Sequence, residues 1–258
     1  MAKIESIYRY PVKGLTPEPM LRVALSPGQT LPGDRLYAIE NGPSGFDPAT
    51  PAYLSKTHFL MLMKNERLAC LRAAFDQESH VLTIEALASP AGSGNGGKIS
   101  GDLRTAAGRA AIEGFFADYC AGELRGPPKV LHANGHSFSD VARKVVSIIN
   151  LASVAAVEDM VGVPVHPLRF RGNVYVAGWP AWSELDLVGR ELKIGSTRLN
   201  VVKRIVRCPA TNVDPETGAR DLNIPQTLLR NLDHADCGIY AEVIEGGEIA
   251  QGDDIKVL

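Results

Sequence analysis

The chain has 258 residues, 45% of them apolar and 22% charged, with 27 basic against 29 acidic side chains and a formal net charge of −2. Those values describe a globular protein whose core needs no covalent staples, and they exclude a general nucleic-acid binder, which carries a basic excess or stripe. No apolar run nears the roughly 20 residues of a membrane helix. The start, Met-Ala-Lys-Ile-Glu-Ser-Ile-Tyr, has no leader-like apolar stretch, so the expected location is the cytoplasm, with no membrane partner.

In chain order, residues 3–10, 20–25, 35–40, 67–75 and 80–86 read as short strands, several alternating with period two and punctuated by Ser26-Pro-Gly and Leu31-Pro-Gly-Asp. Residues 41–51 read as a surface loop. Residues 88–101, with Ser-Pro-Ala-Gly-Ser-Gly-Asn-Gly-Gly, read as a flexible hairpin tip or linker. The period then changes. Residues 105–119 form a predicted helix with Ala107, Ala110, Ala111, Phe115 and Tyr119 near one face, stopped by Gly122. A second helix fits 151–160, with Asn150 as N-cap and Leu151, Val154, Ala155 and Met160 turned inward, ending at Gly162 and Pro164. Strands return at 173–177, 191–194, 197–207, 238–243 and 255–258, a pattern that suits closure into a barrel without exposed edges. The expected fold is mainly β (α+β). A strand-rich N-terminal domain, 1–125, packs on a C-terminal barrel, 126–258, with a few peripheral helices.

Four segments can carry chemistry. Arg204-Ile-Val-Arg-Cys208 delivers a cysteine at the end of a strand, beside Arg207 and ahead of Thr211 and the turn Asp214-Pro-Glu-Thr-Gly218. A cationic neighbour favours thiolate, the form that ligates metals or attacks electrophiles, although neighbours on a strand alternate faces. The plainer alternative is a buried, inert thiol. In Arg169-Phe-Arg171-Gly-Asn173 a strand would put Arg169, Arg171 and Asn173 on one face, two guanidinium forks and an amide suited to phosphate; ordinary surface arginines are the alternative. Tyr10-Pro-Val-Lys13-Gly14 offers a cation and a free backbone N–H at a turn, and Gly33-Asp34-Arg35 offers either a second cation or a simple surface ion pair.

Other chemistries lose their ground. The chain has no Gly-x-x-x-x-Gly-Lys-Ser/Thr loop and no Gly-x-Ser-x-Gly elbow, and Gly92-Ser-Gly-Asn-Gly-Gly lies outside any βαβ setting. The pair His132/His136 has helical spacing in sequence that will not hold a helix, so no zinc site is expected there. Cys70, Cys120 and Cys237 read as structural free thiols.

Taken in order, these segments resemble the MOSC family, named after the C-terminal domain of molybdenum cofactor sulfurases, preceded by its N-terminal β-barrel domain. Tyr10 to Gly14, Gly33 to Tyr37, Leu54-Ser-Lys-Thr-His58 with Leu68-Ala69, Arg169 to Asn173, Trp179 to Trp182, Leu187 to Arg190, Arg207-Cys208 and Val213 to Gly218 carry the likeness. The pattern is most similar to the amidoxime-reducing molybdenum proteins and their bacterial relatives. The resemblance implies a molybdenum cofactor (molybdopterin-bound) between two domains, with Cys208 as metal ligand and catalytic residue. Lys13, Gly14, Arg35, Asn150, Arg169, Arg171, Asn173, Arg207 and Thr211 would hold the cofactor. It further implies reduction of N-hydroxylated or other N-oxygenated small molecules by oxygen-atom transfer, with electrons from a separate flavin or iron–sulfur protein. Pyridoxal phosphate is not expected, since in the sulfurases it belongs to a separate domain for which this chain has no room. The rival is a carrier of sulfur, as a persulfide on Cys208, or of the molybdenum cofactor itself. The chain departs from its relatives at Gly14, where serine is frequent, at Asn150 and Asn212, where Ser or Thr is frequent, and by an insertion over 41–53.

Overall fold

The computed structural model describes residues 2–86 and 97–258. Its strands and α-helices run β1 (Ala2–Arg9), β2 (Glu18–Met20), β3 (Arg22–Leu25), β4 (Ala38–Asn41), β5 (Leu71–Phe75), β6 (Val81–Ala86), β7 (Lys98–Asp102), α1 (Ala106–Tyr119), β8 (Pro128–Leu131), β9 (Val146–Asn150), α2 (Leu151–Val161), β10 (Val174–Ala177), β11 (Glu191–Ile194), β12 (Thr197–Val206), α3 (Ile224–Leu232), β13 (Asp236–Glu245), β14 (Gly247–Ala250) and β15 (Asp254–Val257). The organising feature is a closed barrel in the order β10-β9-β13-β12-β11-β15-β1, with β1 pairing back onto β10 and β2 extending from β1. Closure leaves no open edge in that ring and points alternate side chains inward. Ile4, Val146, Ile148, Val174, Val176, Leu192, Ile194, Leu199, Val201, Ile239 and Ala241 accordingly fill a dry interior.

The first strand does not stay with its neighbours in sequence. Ile4 pairs with Val176 and Ala2 with Ile255, so the chain's start completes a barrel built otherwise from β9 to β15. Strand β3 pairs with β14 outside the ring, and the remaining N-terminal strands make small sheets, β5-β6-β7 and β4-β8, covered by α1. The α-helices α2 and α3 pack together outside the barrel through Val154, Val157 and Leu228.

Several local expectations need correction. Residues 35–37 are not strand, because Arg35 takes a left-handed backbone (φ +50°) and β4 starts only at Ala38. Residues 66–70 form a 3-10 turn before β5. The 88–101 segment lies partly outside the described residues, and its end is strand β7, paired with β6 from Glu85 to Val81. Helix α1 buries Ile112 and Phe116 rather than Ala107 and Ala110, which stay exposed, because the two large side chains fill the gap under β7 and β8. In α2 the buried positions are Ser153, Val154 and Val157, with Ala155 exposed. Strands β8, β9 and β14 and helix α3 went unpredicted: the strands are five residues or fewer, and α3 starts directly behind a proline-containing loop.

Candidate functional site

The turn after β1 builds one wall of a cavity between the barrel and the N-terminal sheets. Val12 bridges to Tyr37, and the Lys13 N–H donates to the Tyr37 carbonyl at 2.9 Å. Gly14 follows at φ +84°, where a Cβ would meet the Leu60 carbonyl oxygen at 3.0 Å, so the turn demands glycine. Lys13, 5% exposed, therefore points its ammonium at the Phe138 carbonyl (2.8 Å) and the Asp140 carboxylate. Burial pulls the Lys13 ammonium below its usual range although Asp140 opposes this. Lys56 Nζ stands 3.8 Å from the second Asp140 oxygen. Burial alone would raise Asp140, but Lys13, Lys56 and Arg35 hold its carboxyl well below the usual carboxylate range.

The arginines of the cavity fall into two kinds. Arg169 is 3% exposed, and its Nη1 and Nη2 donate to Asp221 at 2.8 Å each, with further bonds to Asn212 O at 3.1 Å and Asp214 at 3.0 Å. Arg207 donates through Nη1 to Phe170 O at 3.0 Å and through Nε to Cys237 O at 2.6 Å. Apart from the Nε of Arg169, buried and unpaired among the described residues, the donors these bonds use are spent on the fold. Arg35 and Arg171 are different: both have left-handed backbones, at φ +50° and +49°, and both guanidinium carbons lie 4.3 Å from the centroid of the fully buried Tyr10 ring. Arg35 binds Asp34 and donates to Arg171 O at 3.1 Å. Among the described residues only Nη2 of Arg171 is bonded, to Leu15 O at 2.9 Å, which leaves its other donors for a ligand.

Cys208 sits where β12 runs out. Pro209 starts a 3-10 turn, and the Thr211 N–H and hydroxyl both donate to the Cys208 carbonyl at 3.0 Å, fixing the backbone that presents the sulfur. The following turn closes on Asp214, whose Oδ1 accepts from Glu216 and Thr217 N–H at 3.0 and 2.8 Å. Arg220 ties this region to the N-terminal half by donating to Leu62 O, Met63 O and Pro209 O at 3.0, 2.8 and 3.2 Å. Cys208 is half-buried and opens on a cavity of about 220 Å³, whereas Cys70, Cys120 and Cys237 are buried. Burial pushes the thiols of Cys120 and Cys237 up to about 12, and that of Cys70 up as well, so these three stay protonated at neutral pH.

The cavity thus gathers Lys13, Gly14, Arg35, Arg169, Arg171, Asn173, Arg207, Cys208 and Thr211 from the sequence reading. Asn150 is not among them. Its amide caps α2 through Ala152 N–H and donates to Glu184 and Pro180 O at 2.8 Å, so it orders the back of the barrel. The strand that would have put Arg169, Arg171 and Asn173 on one face is not formed. Residues 167–170 form a 3-10 turn and Arg171 is left-handed, so Arg169, Arg171 and Asn173 face three different partners. Asn173 is spent between Ser147 N–H and hydroxyl (3.1 and 2.7 Å) and Tyr8 O (3.2 Å). Asp34 and Arg35 are no surface pair, since Asp34 is 4% exposed and accepts from Tyr10 N–H at 2.9 Å. Sequence reasoning missed Lys56 and Asp140 as cavity groups. Lys56 lay inside a quoted segment without a role of its own, and Asp140 has no local charge pattern to mark it. Among the described residues no cluster of three His, Cys, Asp or Glu side chains could hold a metal by itself. No described helix is long and apolar enough to cross a membrane.

Two family models match in tandem, the MOSC N-terminal beta barrel domain over residues 1–109 and the MOSC domain over residues 131–256. No curated protein matches the sequence. Among solved structures, the chain is similar to the YuaD protein from Bacillus subtilis at 17% identity and TM-score 0.44, covering 99% of this chain and 94% of that one. It is also similar to YiiM from Geobacillus stearothermophilus at 17% identity and TM-score 0.36, over 44% of this chain and 53% of that one. A further structure, of a hypothetical protein, matches at 16% identity and TM-score 0.33 over 43% and 50%. With both domain models in place, the chain belongs to the MOSC family, whose domains are associated with binding of the molybdenum cofactor.

Proposed function

We propose that this MOSC-family protein binds the molybdenum cofactor in the cavity between barrel and N-terminal sheets, and acts as a reductase of N-hydroxylated or other N-oxygenated small molecules. One observation carries the reading: among the described residues the only cysteine that is not buried opens on the cavity where Arg35, Arg171, Lys13 and Lys56 converge. The donor set fits the group. A thiolate is a soft ligand suited to molybdenum, and an anionic pterin phosphate needs cations whose donors are not already spent. Arg171 meets that need, and Gly14, whose turn packs against the Leu60 carbonyl, lies in the cavity wall beside it.

When bound, the cofactor supplies two-electron oxygen-atom chemistry. The protein's own part is to bind, orient and shield. Cys208 would hold the metal, with Thr211 and the Pro209 turn fixing its backbone. Arg35 and Arg171 would hold the anionic end. Asp140, kept ionised between Lys13 and Lys56, would lie at the mouth with the Lys56 ammonium as the nearest proton store. Electrons would come from a separate flavin or iron–sulfur protein.

The test is turnover with an artificial donor. Protein made in a cofactor-competent host should oxidise reduced viologen when given an N-hydroxylated amidine, and Cys208→Ala should not. Cyanide-labile sulfur on Cys208 with no turnover and no metal would instead support the sulfur-carrier reading.

A further inference from the structure

Tyr10 is the most unusual aromatic residue of the molecule. Its side chain is fully buried, yet its hydroxyl makes no hydrogen bond of full geometry among the described residues and has only a weak interaction with the Tyr175 hydroxyl. A buried hydroxyl without a well-formed hydrogen bond adds little stability, so the residue is not explained by its oxygen. Its ring, by contrast, touches the two guanidinium groups of the cavity, each with its central carbon 4.3 Å from the ring centroid. Like charges repel, and two guanidinium groups held against one buried ring need a compensating attraction. An aromatic face supplies one that grows with desolvation.

The backbone around Tyr10 serves the same arrangement. Its N–H donates to Asp34, its carbonyl accepts from Arg35 N–H at 2.7 Å, and Arg35 in turn reaches the Arg171 carbonyl. Both arginines hold left-handed backbones, which L side chains rarely adopt and which persist only where the surroundings impose them. Two constrained arginines and one buried tyrosine ring thus form a single unit at the cavity wall.

We propose that Tyr10 is the positioning residue of the anion site: its ring, not its hydroxyl, sets Arg35 and Arg171 so that they bind a phosphate-bearing ligand together. This rests on the reading that the cavity takes an anionic ligand, and it needs no metal. Without the ring, Arg171 is free to swing away from Arg35 and the two cations no longer act on one phosphate.

The experiment measures the Kd of inorganic phosphate by 31P NMR titration of the purified chain, with Arg171→Ala marking the site. Tyr10→Phe keeps the ring and should bind within about twofold of the parent, with equal or higher Tm, whereas Tyr10→Leu should bind about tenfold more weakly. Arg171→Lys keeps the charge but not the planar stack, so it should fall with Tyr10→Leu. It also keeps the test open should Tyr10→Leu not fold. Parent-like affinity in Tyr10→Leu or in Arg171→Lys would overturn the proposal. So would a Tyr10→Phe as weak as Tyr10→Leu, or phosphate binding that Arg171→Ala leaves unchanged. If the phosphate affinities follow this order while the protein takes up no molybdenum, the cofactor reading fails and the role of Tyr10 stands.

Discussion

Arg169 and Arg171 are two residues apart, line the same cavity and do opposite work. Arg169 makes four hydrogen bonds to two carboxylates and a carbonyl, leaving only its buried Nε unpaired among the described residues, so its charge is countered inside the fold. Arg171 makes one hydrogen bond and rests on an aromatic ring, so its charge remains available. The difference shows that basic residues around a cavity do not measure its appetite for anions. What counts is how many of their donors the protein has already used.

Removing each arginine sharpens the contrast. Arg169→Ala removes a buried guanidinium with its four hydrogen bonds to Asp214, Asp221 and Asn212 O and should lower unfolding stability by about 3 kcal/mol in urea titrations. Arg207→Ala strands two neutral carbonyls, Phe170 O and Cys237 O, and should cost about 2 kcal/mol. Arg171→Ala should stay within about 1 kcal/mol of the parent, since the cation–π contact and the single bond to Leu15 O it loses are partly offset by relief of repulsion from Arg35. A loss in Arg171→Ala as large as in Arg169→Ala would erase the distinction.

The smallest effect concerns acid. The folded pKa of Asp140 lies below its unfolded value, so the pair with Lys13 stabilises the fold above the ordinary carboxylate range and is lost as pH falls through and below it. Asp140→Asn should therefore show a shallower loss of stability than the parent between about pH 4 and pH 2. Identical slopes would mean that Asp140 gains nothing from its cationic neighbours in the fold.

The barrel was legible because its strands carry their signal locally: 191–194 and 197–206 alternate inward apolar and outward polar residues, and Gly195 makes the turn between them. Helix α2 announced itself by Asn150, yet the same residue was misassigned to the ligand site, because a cap and a cofactor contact use the same amide. Cys208 was recognisable from its place at a strand end. The two kinds of arginine were not, because the partners that separate them, Asp221, Asp214 and Tyr10, lie 52, 45 and 161 residues from Arg169 or Arg171. Burial of Tyr10 and a left-handed turn at Arg171 are decided by packing, which no short window contains.

The central claim is that Cys208, alone of the four cysteines, would hold a metal beside the unspent donors of Arg171. It is tested most directly by molybdenum per chain, from elemental analysis of protein made in a cofactor-competent host, in the parent and in Cys70→Ala, Cys208→Ala and Cys237→Ala. The account predicts near-stoichiometric metal in the parent, Cys70→Ala and Cys237→Ala, and its loss in a folded Cys208→Ala. Metal retained in Cys208→Ala, or absent from the folded parent, would contradict it.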